Sequence, residues 1–158
     1  MKHFSDVSTR TWMIILAAGF TAALLDAIAA IIFLGARPDT LFKFIAMGLF
    51  GRPAMQGGVE MIMWGVVFHI LISLWWAFLF VMLWKRYAVL GKNVFATVLL
   101  YGLLIWIVMN VVVLPMSNVP RSPITVSSFW KGALILIVAV SLPIALITKN
   151  AKNLRART

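Results

Sequence analysis

The chain has 158 residues, 63% of them hydrophobic and only 11% charged, with a mean hydropathy of +1.04. Soluble domains are about half apolar and about a quarter charged, so this composition excludes a soluble globular domain and points to an integral membrane protein. Fourteen Lys and Arg oppose four Asp and Glu, but they flank apolar runs instead of forming one patch. That argues against nucleic acid and suits anchoring on anionic membrane lipids.

Crossing about 30 Å of hydrocarbon takes roughly 20 helical residues. The first run of that length covers about residues 12–35. It is much longer than the roughly 7–15 apolar residues of a signal peptide, so it reads as a retained span. Within it, "TAALLDAIAAIIF" carries Asp26 in otherwise apolar surroundings. Facing lipid, a carboxylate there costs about 2.5 kcal/mol or more, so Asp26 is expected to face protein. Gly19, Ala22 and Ala23 lie at helical spacing around it and let another helix approach closely.

The connector "GARPDTLFKFIAMGLFGRPAMQGG" predicts a short amphipathic helix over about 38–51, lying in the interface. Pro38, Asp39 and Thr40 suit its start, and Gly48 and Gly51 loosen its end. Arg37 and Arg52 flank it, and either is a candidate partner for Glu60 at the start of the second span.

That second span covers about 58–84. Gly58, Ile62, Gly65, His69, Ser73 and Trp76 share one helical face, with glycine again admitting a neighbour. His69 lies about 13 Å below the same surface as Asp26 at 1.5 Å per residue, so an Asp26–His69 hydrogen bond is expected. Glu60, about half a helical rotation away, points elsewhere.

After the basic turn "KRYAVLGKN", a third span covers about 94–114. Gly102, Trp106 and Asn110 follow at spacing of four, so Asn110 is placed to meet Asp26 or His69 across the bundle. Pro115 is expected to end this span, and an irregular connector with Arg121 leads to a fourth over about 127–148, loosened by Pro143. The fold class is therefore an all-α integral membrane protein: one domain of four transmembrane helices with an interfacial helix between spans 1 and 2.

Lys and Arg counted by side put nine on the termini and second connector and five on the other two connectors, so both termini are expected in the cytoplasm. No cysteine is present, and neither a His pair at metal-ligand spacing nor HExxH, GxSxG or a phosphate-binding glycine loop occurs. No catalytic residue, metal or cofactor is therefore assigned. "LLDA", "RPDTLFKFIAMGLFG", "FHILIS", "VVLPMS" and "SLPIAL" give the chain a layout that resembles a family of small, uncharacterised bacterial four-span membrane proteins. The resemblance implies location in a bacterial inner membrane and carries over no site residue.

Three functions fit these features. The first is an accessory or assembly subunit, or a self-associating bundle, that recognises other membrane subunits or itself. The second is a small oligomeric proton-coupled transporter in which Asp26 titrates, His69 relays and Asn110 helps bind substrate. The third is a lipid- or quinone-binding protein with its site beneath the 35–58 connector.

Overall fold

The computed structural model describes residues 9–120, 123 and 125–155, the last four by backbone alone. Among them the regular structure is helical, without strands: α1 is Thr9–Leu34, α2 Pro38–Phe50, α3 Val59–Arg86, α4 Val94–Met116 and α5 Val126–Ala151. All but α2 are long and apolar enough to span a membrane. Even α4, with 23 residues, reaches about 34 Å. Each expected span is present within a few residues of its expected ends, and so is the short helix between the first two.

Local chemistry sets the boundaries. Pro38 needs no N–H partner in the first turn of α2, and Gly51 stops that helix at φ 74°, a conformation side chains rarely tolerate. Asp39, beside the same N-terminus, accepts from the Thr40 backbone N–H and lies 3.3 Å from Arg37 Nε, which together hold its carboxyl below the usual carboxylate range. Asn93 caps α4 by accepting from the Ala96 N–H at 3.1 Å. Thr125 and Ser128 form a reciprocal capping box on α5.

Two spans are wound wide over one stretch each: Val108–Val113 in α4 and Leu136–Ser141 in α5 are π-helical. Each stretch is followed two residues later by a proline, Pro115 and Pro143 respectively. A proline ring collides with the carbonyl four residues back, at Val111 and Ala139, and widening the helix there relieves the clash. Pro115 thus acts upstream as well as near the end of its span, which closes one residue later at Met116.

α3 packs on α1, α1 on α5 and α5 on α4. α3 and α4, though consecutive spans, lack the close backbone packing that ties the other neighbours. They are joined through side chains at one level, where the Tyr101 hydroxyl donates to the Trp76 carbonyl at 2.6 Å. Around this level lies the main core, including Ile15, Ala18, Phe80, Ile105 and Ile144. A smaller core of Ala46, Met47 and Ala54 forms beneath α2 at the opposite end. Gly65 makes that end possible, because a β-carbon there would overlap the Phe42 carbonyl. Gly19 serves the α1–α3 contact in the same way, against Leu74.

Candidate functional site: an intramembrane cavity beneath α2

Between the two cores the bundle encloses a cavity of about 500 Å³, within the range of small-molecule sites. Phe44, Ile45, Gly48 and Leu49 of α2 form its roof, with Ser117 and Val119 from the loop after α4. α3 contributes Phe68, His69, Leu71, Ile72, Ser73 and Trp76, and α4 contributes Ile105, Met109, Val113 and Leu114. Leu136 and Val140, both in the widened stretch of α5, complete the wall with Asp26 of α1.

The shape follows from the fold. Tyr101 ties α3 to α4 at Trp76, at one end of the cavity that lies between the two spans. From Ile105 to Leu114 the lining extends about 13 Å along α4. Leu49 and Leu71 line the cavity while 63% and 56% exposed, so it opens sideways onto the lipid-facing surface. The roof is fastened across the opening by Asn118, whose N–H donates to the Gly48 carbonyl at 3.0 Å and whose side-chain amide donates to the Leu49 carbonyl at 2.9 Å.

Three polar side chains of the spans reach this apolar space: Asp26, His69 and Ser73. They sit well inside the bilayer, Asp26 eight residues from the end of α1 and His69 ten residues into α3, or about 12 Å and about 15 Å deep. The expected Asp26–His69 hydrogen bond is not made. His69 Nε2 donates instead to the Ala23 carbonyl at 2.9 Å, and Asp26 Oδ2 stands 3.9 Å from the same nitrogen. The small Ala23 side chain lets α3 close enough for its carbonyl to take the proton first. A carbonyl can only accept, so His69 Nε2 carries a proton. Asp26 and the buried Ser73 hydroxyl make no side-chain hydrogen bond among the described residues.

Other expected roles are corrected. Asn110 does not cross the bundle; its amide donates to the Trp106 carbonyl one turn back on α4 at 2.9 Å. Asn110 lies inside the widened stretch, where displaced backbone carbonyls compete for side-chain donors. Glu60 is exposed in the first turn of α3 and pairs with neither Arg37 nor Arg52 among the described residues, Arg37 having Asp39 only two residues away. Arg52 is exposed where a short 3₁₀ turn begins, and Arg121 lies outside the described residues. Gly19, Ala22, Ala23 and Gly65 are all buried within the chain. Among the described residues no three His, Asp or Glu side chains gather as metal ligands.

The sequence reading missed the roof clasp of Asn118 and the pin of Tyr101. Their signals are slight: a polar residue just past a Leu-Pro pair and a lone tyrosine inside a span. No family model, curated protein or solved structure matches the chain.

Proposed function

We propose that this protein is a non-enzymatic receptor or carrier for an amphiphile dissolved in the bilayer. The apolar body of the ligand fills the cavity between α3 and α4, and its polar group meets Asp26, His69 and Ser73. The observation that carries this reading is the side-opening apolar cavity whose polar side chains from the spans, Asp26, His69 and Ser73, stand together on α1 and α3, deep in the hydrocarbon. A polar wall at that depth favours a ligand held wholly inside the membrane over a phospholipid anchored at the surface. The site lies beneath the 35–58 connector, as the lipid- or quinone-binding alternative requires.

An assembly role would draw on small-residue faces, and these are consumed inside the fold by the packing of α1, α2 and α3. The resemblance and the Lys and Arg distribution support a bacterial inner membrane with both termini cytoplasmic, which sets the α2 roof on the outer side. The basic inner ends then rest on anionic lipid headgroups.

The test is native mass spectrometry of the protein extracted gently into nanodiscs. Wild type is expected to carry a stoichiometric lipophilic adduct, and Met109→Trp, which fills the cavity from α4, is expected to lose it. Retention of the same adduct by a folded Met109→Trp protein would show that the ligand sits elsewhere.

A further inference from the structure

We infer that the cavity selects cationic amphiphiles, with Asp26 pairing the ligand's head group in a space that Phe44, Phe68 and Trp76 also line. This rests on the binding role proposed above and adds the ligand's charge. Among the described residues Asp26 is the only acidic side chain lining the cavity, and no Lys or Arg lines it from α1, α2, α3, α4 or α5. Among the described residues the sole titratable neighbour facing it is His69, at 3.9 Å, and the Nε2 proton of that ring already goes to Ala23. The carboxyl therefore faces apolar space with no internal donor, in a chain that holds only four acidic residues.

A partly buried acceptor in apolar surroundings is costly until something supplies a donor. An anionic head group would be repelled by Asp26 and would find no Lys or Arg among the described lining residues. A neutral head group satisfies the carboxyl in part. An ammonium head satisfies its charge, and the aromatic ring faces add attraction for a cation removed from water. The apolar length from Ile105 to Leu114 then takes the ligand's chain.

The experiment measures binding of three radiolabelled twelve-carbon probes to the protein in nanodiscs: dodecylammonium, dodecanol and dodecyl sulfate. The expected result is a clear preference for the cation. Asp26→Asn should weaken cation binding by about tenfold or more, weaken dodecanol binding by far less, and be rescued by Asp26→Glu. Equal wild-type affinities for the cation and dodecanol would overturn the inference without any variant, even if Asp26→Asn failed to fold. If Met109→Trp then weakened both probes together, the binding role would stand and only its charge preference would fall. If Met109→Trp affected no probe, the binding role itself would fail.

Discussion

The Tyr101 hydroxyl donates a 2.6 Å hydrogen bond to the Trp76 carbonyl, and the Tyr101 ring meets Phe80 edge-on with centroids 4.8 Å apart. This pair ties α3 to α4 at Trp76, which lines the cavity, and so fixes its floor. Tyr101→Phe keeps the ring contact and loses the hydrogen bond, so it should cost about 1 kcal/mol. Tyr101→Ala also empties the space beside Phe80 and should cost about 3–5 kcal/mol. Thermal unfolding in detergent would order the two variants. Equal losses would mean that the ring contributes nothing beyond its hydroxyl.

The roof depends on Gly65. With a side chain there, α2 has to lift from α3, because the obstacle is the rigid Phe42 backbone. Gly65→Leu is therefore expected to destabilise the cap by about 1–3 kcal/mol, the usual cost of overpacking. Hydrogen exchange should rise across residues 38–50 while the core around Ile105 and Ile144 keeps its protection. Uniform loss of protection would show that the cap and the core unfold as one unit.

How much of this was legible beforehand depended on whether the cause was local. Asp26 and His69 could be placed at matching depth because helical rise and span ends set depth, and Gly19, Ala22 and Gly65 announced close helix contacts. The partner of His69 was not legible, because a backbone carbonyl such as that of Ala23 has no sequence signature. Asn110 misled for a related reason: side-chain spacing predicts faces only while the helix keeps 3.6 residues per turn, and Val108–Val113 does not. The cavity exists because α3 and α4 stay apart, a long-range outcome that no stretch of sequence encodes. Its nearest trace was the pair of Leu-Pro steps at 114–115 and 142–143, each just past a widened stretch that lines the site.

Asp39 offers a test of the start of α2. Its folded pKa is depressed, first by the Thr40 N–H and then by Arg37. The stabilisation is therefore fully present above the unfolded value of about 3.9 and disappears as pH falls through the lower folded value. The Thr40 amide resonance should titrate with a midpoint below about 3.9, and Asp39→Asn should abolish that titration. A midpoint at or above the unfolded value would mean that the capping contact does not form in the membrane.

Orientation can be read directly because the chain has no cysteine. A single cysteine at Gln56, in the turn after α2, should react with a membrane-impermeant maleimide on intact cells. One at Lys92, in the opposite turn, should react only after permeabilisation. The reverse pattern would place the roof, and the nearest membrane surface to Asp26, in the cytoplasm.

Access to the cavity should be controlled where α2 meets the end of α4. A β-carbon at Gly48 would stand 3.8 Å from the Ser117 β-carbon, inside the roughly 3.5–4.5 Å range of disulfides. Gly48→Cys with Ser117→Cys should therefore cross-link without distorting the helices, fixing the roof to α4 beside the Asn118 clasp. If a ligand arrives by parting α2 from the end of α4, oxidation should slow both binding and release of a bilayer-dissolved probe, and reduction should restore both rates. Asn118→Ala, which removes the side-chain bond to Leu49 but leaves the chain uncross-linked, should speed both. The affinity should change little in either variant, because Gly48, Ser117 and Asn118 sit in or beside the roof and none belongs to the polar wall. A cross-linked protein that still exchanges ligand at the wild-type rate would show that passage runs through the side opening beside Leu71 alone, with the roof a static part of the fold.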